Sequence, residues 1–196
     1  MSKKINMSHI VTVTNRNLCV RPFLEQMERV CRKKPRAIIL REKDLTKEEY
    51  YKLAKDVNEI CENYKIPLIP HTFLEVAREL NIARIHLPLS KLEEASKISK
   101  ETLSFFQTIG VSTHSVEDAL LAQKLGATYI TAGHIYTTDC KKGLAPRGLT
   151  FLKDVCQAVE IPVYGIGGIN LDEERTKAVK EAGAAGSCIM SAMMSV

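Results

Sequence analysis

The chain has 196 residues, of which 45% are hydrophobic and 26% charged, and this composition fits a single folded domain with a sizeable core rather than a disordered chain. Its net charge of +5 comes without a long basic run and without tryptophan, which argues against a nucleic-acid partner and suits a small anionic ligand. No apolar run reaches about 18 residues, and the 6 cysteines form no C-x-x-C pair, so we expect a cytoplasmic protein with reduced thiols and no membrane partner.

Short apolar and β-branched runs alternate with helical patterns along the whole chain. The predicted strands are 10–14, 37–40, 66–70, 83–87, 109–113, 129–133, 162–166 and 187–190. The predicted helices are 22–33, 46–64, 73–80, 91–106, 115–126, 149–159 and 172–182. Eight strand–helix units of about 25 residues each are typical of a (β/α)8 barrel. The sequence therefore predicts an α/β fold of the TIM-barrel type, one domain over 1–196, with the last helix short or absent.

Two predicted helices begin with a capping pattern. Thr46 is followed three positions later by Glu49, and Ser115 is followed at the same spacing by Asp118. In a capping box the hydroxyl accepts a hydrogen bond from the later backbone N–H, and the acidic side chain accepts one from the N–H of the capping residue. Both patterns therefore predict a helix start.

Polar side chains follow nearly every predicted strand. In a closed barrel the C-terminal ends of all strands meet at one mouth, where binding and reacting groups are found. In strand order the candidates are Arg41, Lys43, His71, Thr72, His86, Ser112, His114, His134, Thr138, Asp139, Cys140, Lys141, Gly167, Gly168 and Ser191.

A phosphate site is predicted where strands seven and eight end. Gly167 and Gly168 allow backbone N–H groups to approach an anion, the next helix N-terminus would add a favourable dipole, and Ser191 follows strand eight. Lys141 and Arg41 could add charge from across the mouth. The alternative is that the glycine pair forms an ordinary turn.

His134 is the main candidate for acid/base chemistry, because it follows a buried strand directly and a histidine titrates near neutrality. The alternative is a structural histidine bonded to loop backbone. His86 lies within an apolar strand and is predicted to be a core histidine with satisfied hydrogen bonds. His71 remains a competing candidate, and His114 is expected to bond local backbone.

Two further chemistries receive less support from the sequence. Several histidines at one mouth raise a zinc hypothesis, but their spacing fits no compact ligand motif, so no metal site is predicted. Cys140 lies next to Lys141, which could activate its thiol as a nucleophile. The simpler interpretation is that Cys140 is a small loop residue.

The motifs at these strand ends resemble the thiamin phosphate synthase/TenI superfamily of barrels over nearly the whole chain. They are LREKD at 40–44, HLP at 86–88, GVSTHS at 110–115, GHIYTTDCKKG at 133–143, IPVYGIGG at 161–168 and CIMSA at 188–192. The resemblance implies a barrel enzyme of thiamin biosynthesis, and dimers in the superfamily imply that a homodimer is to be considered.

Three departures distinguish this chain from the synthases of that superfamily. Ile39 stands where they carry a glutamine for the pyrimidine, and His71-Thr72 replaces an Asn-Asp pair. Lys91 stands where they carry a second aspartate. The two aspartates bind magnesium in the synthases, and a hard cation needs carboxylate oxygens. The resemblance therefore implies that the metal site is lost and that no cofactor is required.

The loop at 133–143 is similar to that of TenI-type thiazole tautomerases, whose histidine at the His134 position is the acid/base group. This implies aromatisation of a carboxythiazole phosphate tautomer without a metal. The expected phosphate contacts are Gly167, Gly168, Met190, Ser191 and Lys141, and the other expected substrate contacts are Arg41, Lys43, Ser112 and Thr138.

Two alternatives remain open at this point. The chain could be a thiamin phosphate synthase, which joins hydroxymethylpyrimidine diphosphate to thiazole phosphate with Mg²⁺. It could also be a non-catalytic regulatory protein that binds the thiazole phosphate. The presence of His134 argues against simple binding, because phosphate recognition does not need that histidine.

Overall fold

The computed structural model describes residues 5–98, 100–141 and 143–196. The strands are β1 Ile10–Val13, β2 Ala37–Leu40, β3 Leu68–Pro70, β4 Arg84–Pro88, β5 Thr108–Thr113, β6 Tyr129–Gly133, β7 Val163–Ile166 and β8 Gly186–Ile189. The α-helices are α1 Phe23–Arg32, α2 Lys47–Tyr64, α3 Leu74–Glu79, α4 Leu89–Ile98, α5 Lys100–Ser104, α6 Val116–Lys124, α7 Gly148–Ala158 and α8 Glu173–Glu181. The predicted alternation of strands and helices is confirmed.

Over the described residues, eight parallel strands form one sheet in the order β3-β2-β1-β8-β7-β6-β5-β4. The two outer strands approach each other at one point, where His71, directly after β3, bridges to His86 of β4. The amide of Thr72 also donates to the carbonyl of His86 at 3.0 Å. The sheet is thus a nearly closed TIM barrel, as the sequence predicts.

Buried apolar residues form two clusters, because successive residues of a strand point to opposite faces of the sheet. One cluster lies between the strands and the helices and includes Ile38, Ile85 and Ile130. The other fills the barrel interior with side chains from β1, β2, β3, β6, β7 and β8, and its members are Val11, Val13, Ala37, Ile39, Ile69, Tyr129, Tyr164 and Cys188. The interior of the barrel is therefore packed with side chains.

The region predicted as a helix over 91–106 contains α4, which begins earlier, at Leu89, and α5, which ends at Ser104. Residue 99, between them, lies outside the described part of the chain. The earlier start follows directly from β4, since Pro88 ends that strand and Leu89 opens the helix.

The two predicted caps differ in detail. Thr46 forms the complete capping box: its Oγ1 accepts from the Glu49 N–H at 3.2 Å, and Glu49 accepts from the Thr46 N–H at 2.9 Å. Ser115 Oγ accepts from the Asp118 N–H at 3.0 Å, but the Asp118 carboxylate accepts instead from the N–H of His114 at 2.8 Å. At this second helix the acidic side chain therefore bonds the amide of His114, one residue before the capping residue Ser115, and not the amide of Ser115 itself as in a capping box.

The segment after β8 is a short 3-10 helix, Ser191–Met194, which agrees with the predicted short last helix. Met193 and Met194 are fully buried. Gln26 of α1, itself buried, donates to the carbonyl of Met193 at 2.9 Å and so joins this turn to the first helix. Within the described residues, no helix is both long and apolar enough to cross a membrane.

Candidate active site

A cavity of about 1040 Å³ opens at the C-terminal ends of the strands. It brings together the ten residues expected to contact or act on the substrate, which lie at or after the ends of β2, β5, β6, β7 and β8, whereas Thr72 and His86 are not part of its lining. Those residues are Arg41, Lys43, Ser112, His134, Thr138, Lys141, Gly167, Gly168, Met190 and Ser191. These residues therefore share one cavity, while the contact that each makes with a substrate stays a prediction.

Three cations concentrate positive charge on one side of this cavity. Burial lowers the pKa of the Lys43 ammonium, and the positive charges of Arg41 and Lys141 lower it further. Like charges that depress a lysine pKa in this way favour an anion between them, because its charge would relieve the repulsion. The electrostatics of the cavity therefore suit an anionic ligand.

A buried carboxylate holds this cationic strand end in place. Glu42, between Arg41 and Lys43, is only 3% exposed. It accepts hydrogen bonds from Thr14 Oγ1 at 2.6 Å, from the Arg16 N–H at 3.0 Å and from the Arg16 guanidinium at 3.2 Å. No local sequence pattern predicts this function of Glu42, although its position between two predicted ligand-binding cations, Arg41 and Lys43, is a signal.

His134 is held by the loop that follows β6. Its carbonyl accepts from the Arg147 N–H at 2.9 Å, and the next amide, that of Ile135, donates to the Ile166 carbonyl at 2.9 Å. His134 lines the cavity although it is only 9% exposed, and its Nε2 lies 3.3 Å from the carbonyl oxygen of Leu144. The bond to loop backbone, expected as the alternative to an acid/base role, is therefore present in a residue that also borders the cavity.

Close packing of the neighbouring loop requires the glycine pair after β7. Gly167 and Gly168 have φ values of +98° and +66°, which side-chain-bearing residues rarely adopt. A Cβ at Gly167 would collide with His134, and one at Gly168 would collide with the backbone of Thr137. Both Gly168 and Ser191 line the cavity, and among the described residues neither amide donates to a backbone carbonyl.

The helix contribution expected at this phosphate site is not supported. Helix α8 begins at Glu173, and the side chain of Asp172 already accepts from the Arg175 N–H at 2.7 Å. Glu173 and Glu174 add negative charge to its first turn, which opposes a bound phosphate. The positive group here is instead Arg175, whose guanidinium donates to the Gly168 carbonyl and lines the cavity. Arg175 is not predicted from the sequence because a turn separates it from the glycine pair.

His86 is a buried histidine with both ring nitrogens bonded, as predicted. Its Nδ1 lies 2.9 Å from the Tyr129 hydroxyl, and its Nε2 lies 2.9 Å from Ser112 Oγ. Burial and, to a smaller extent, the charge of Arg41 lower its pKa to about 3. The ring is therefore neutral at cellular pH, and it contacts a residue that lines the cavity.

His71 stacks on His86 with 5.7 Å between ring centroids, and its Nδ1 lies 2.7 Å from Thr72 Oγ1. Burial lowers the pKa of His71 to about 2, with His86, Arg41 and Lys43 contributing in that order. His114 bonds backbone as expected, but its Nδ1 reaches the Gly133 carbonyl at 2.9 Å, on the neighbouring strand rather than nearby in sequence.

The residues at the expected magnesium positions do not fit that metal. Thr72 Oγ1 is bonded to the ring of His71, and Lys91 pairs with Glu94 at 2.7 Å outside the cavity lining. Across the described residues, no three His, Cys, Asp or Glu side chains are grouped as metal ligands. The Cys140 side chain lies outside what the structure describes, so the thiol hypothesis stays untested.

The model of the family described as thiamine monophosphate synthase matches residues 10–193. The chain belongs to this family. The assignment to thiamine biosynthesis that the motifs imply is thereby confirmed at the level of the family, which includes both synthases and the TenI type.

Relatives within the family carry the synthase name. The chain is 38% identical over 156 residues to the thiamine-phosphate synthase of Clostridium acetobutylicum, covering 80% of this chain and 72% of that protein. It is 36% identical over 183 residues to thiamine-phosphate synthase 2 of Streptococcus pneumoniae, covering 93% and 85%. The solved structure of thiamine phosphate pyrophosphorylase from Pyrococcus furiosus matches with a TM-score of 0.80 at 28% identity, covering 96% of this chain and 90% of that one.

Proposed function

We propose that this thiamine-biosynthesis protein is an isomerase that aromatises a carboxythiazole phosphate tautomer by transferring one proton. The observation that carries the proposal is the position of His134, an acid/base side chain that lines a cationic cavity at the end of β6. Moving a proton between two ring positions needs one group that can accept it and return it, and it needs no metal.

The contact with Leu144 indicates which nitrogen of His134 acts. A carbonyl oxygen accepts hydrogen bonds and cannot donate them, so a neutral ring bonded to the Leu144 carbonyl carries its proton on Nε2. The lone pair is then on Nδ1. In the proposed reaction Nδ1 takes the proton from the non-aromatic ring carbon of the substrate, and the imidazolium returns it at the second position.

The phosphate and the carboxylate of this substrate need separate binding groups. The amides of Gly168 and Ser191, which have no backbone acceptor among the described residues, and the guanidinium of Arg175 beside Gly168 support phosphate binding at the ends of β7 and β8. Lys141 and Arg41 supply further charge, and Lys43, Ser112 and Thr138 are proposed contacts for the rest of the molecule. The substrate itself would neutralise the repulsion that lowers the Lys43 pKa.

The test is turnover of the carboxythiazole phosphate tautomer, followed by proton NMR without added metal. General acid/base catalysis contributes about 10²- to 10⁴-fold, so His134→Gln should slow the reaction by that range. His9→Gln, which changes a histidine before β1 at the opposite end of the barrel, is the matched control and should retain full activity. Unchanged turnover in His134→Gln would sink the proposal.

The second candidate is thiamin phosphate synthase, and the names of the relatives favour it. Thr72 and Lys91 argue against it, because neither offers the carboxylate oxygens that Mg²⁺ prefers. The same sample, given hydroxymethylpyrimidine diphosphate, thiazole phosphate and Mg²⁺, distinguishes the two. Metal-dependent release of pyrophosphate would establish the synthase, and ligand binding without turnover in either assay would indicate a binding protein.

A further inference from the structure

A chain of three polar groups runs from the interior of the barrel to the wall of the cavity. It starts at the hydroxyl of Tyr129, which is 8% exposed, passes through the ring of His86, which is 3% exposed, and ends at Ser112 Oγ. Both steps measure 2.9 Å. The three residues are on β6, β4 and β5, so the chain crosses three neighbouring strands of the barrel.

The surroundings of Tyr129 set the direction of the first hydrogen bond. Its ring lies edge-on to Tyr164, with 5.8 Å between centroids, and covers Gly110. Among the described residues, the hydroxyl of Tyr129 has one hydrogen-bond partner, His86 Nδ1. A buried O–H that fails to donate is costly, and within the described part of the chain no acceptor other than His86 Nδ1 is bonded to this hydroxyl. The hydroxyl of Tyr129 therefore donates to Nδ1.

This direction fixes the remaining protons. A neutral imidazole that accepts at Nδ1 carries its proton on Nε2, so Nε2 donates to Ser112 Oγ. Because burial keeps the pKa of His86 far below neutrality, the ring does not gain a second proton that would reverse the chain at cellular pH. Among the residues that the structure describes, Ser112 Oγ has no second hydrogen-bond partner, so its hydroxyl proton is free for a ligand in the cavity.

We infer that Tyr129 and His86 are positioning residues that make Ser112 a fixed hydrogen-bond donor to the carboxylate of a heteroaromatic ligand. The inference rests on the proposed function, which supplies a ligand with a carboxylate. An ionised carboxylate only accepts hydrogen bonds, so it matches a hydroxyl whose oxygen already accepts from Nε2. Ser112 is on β5, two strands away from the end of β7 where the phosphate is proposed to bind.

The first measurement needs no ligand and no turnover. A long-range ¹H–¹⁵N correlation spectrum of the ¹⁵N-histidine-labelled protein at neutral pH reports which nitrogen of each neutral ring is protonated. The His86 signals, assigned by their loss in His86→Gln, should show the pattern of a ring protonated at Nε2. Tyr129→Phe should abolish the fixed preference, because Nδ1 then has no donor. A wild-type His86 protonated at Nδ1 would overturn the inference.

The second measurement compares two ligands by calorimetry: the aromatic carboxythiazole phosphate and the same thiazole phosphate without its carboxylate. A hydrogen bond to a charged group corresponds to roughly 10- to 100-fold in affinity. Ser112→Ala should weaken the first ligand by that range and leave the second unchanged. Equal weakening of both ligands, or of neither, would contradict the assignment of the carboxylate to Ser112.

Two substitutions of His86 test whether it acts through its Nε2 proton. The amide of His86→Gln reaches approximately the Nε2 position and keeps a donor there, so it should retain part of the preference for the carboxylated ligand. His86→Asn reaches only the Nδ1 position and should lose that preference; the reverse order would contradict the inference. None of these readouts depends on turnover, so an inactive wild-type protein would refute the tautomerase without affecting this result.

Discussion

At the scale of single residues, Glu42 stands out because it is charged, almost completely buried and not part of the ligand cavity. Its carboxylate receives hydrogen bonds from Thr14 and from both the backbone and the side chain of Arg16. The residues on either side, Arg41 and Lys43, line the cavity. One buried carboxylate thus fixes the backbone between two predicted ligand-binding cations.

We expect Glu42→Gln to lower the free energy of unfolding by about 2 kcal/mol. The substitution removes the charge that strengthens the hydrogen bonds from Thr14 and Arg16, and it places an amide N–H₂ group, itself a donor, against those donors. Urea unfolding followed by circular dichroism measures the change. The control is Asp44→Asn, since Asp44 pairs with the same Arg16 but is 53% exposed in its side chain. The control should change stability much less, and equal losses would show that Glu42 has no special structural role.

At the scale of secondary structure elements, the N-terminus of α2 depends on a cap that the sequence predicts and the structure contains. Thr46→Ala removes the oxygen that accepts from the Glu49 N–H and should cost about 1 kcal/mol of stability. Thr46→Ser keeps the hydroxyl and should lose little. Thermal unfolding of the two variants provides the measurement, and matching transition temperatures would contradict the role of the cap.

Local patterns in the sequence were sufficient to predict the order of the elements and the residues at strand ends. They identified Thr46 and Glu49, whose hydrogen bonds join positions three apart. They failed where a contact joins distant positions. The bond between His86 and Tyr129 spans 43 positions, so no periodicity or short motif predicts it. Arg175 was missed for a different reason, since only the packing of the turn after β7 brings its guanidinium to Gly168.

At the scale of the whole molecule, two buried neutral histidines make stability depend on pH. Burial lowers the pKa of His71 to about 2 and that of His86 to about 3, from the ordinary value of 6.5 that unfolding restores. Between those limits the unfolded chain binds more protons than the folded one, so stability rises with pH. The contribution is complete above pH 6.5 and is lost as the pH falls towards 3.

Each proton taken up on unfolding contributes a slope of about 1.4 kcal/mol per pH unit. We therefore expect His86→Gln, which removes one such group, to reduce the slope of the unfolding free energy by about that amount between about pH 4.5 and 5.5. Urea titrations at several pH values measure the slope. Parallel lines for the wild type and the variant would show that His86 is already protonated in the folded protein at these pH values.

The strands of the barrel are not paired equally around its circumference, because β3 and β4 are joined only by the single bridge between His71 and His86. Every other neighbouring pair of strands is joined by a ladder of at least three residue pairs among the described strands. Arg41 on the β2 side and Ser112 on the β5 side lie on opposite flanks of this join. A ligand that contacts both residues would hold β2 and β5 together across the join between β3 and β4, which has the fewest bridging residues. We therefore expect the backbone amides around Thr72 to exchange with solvent more slowly when such a ligand is bound.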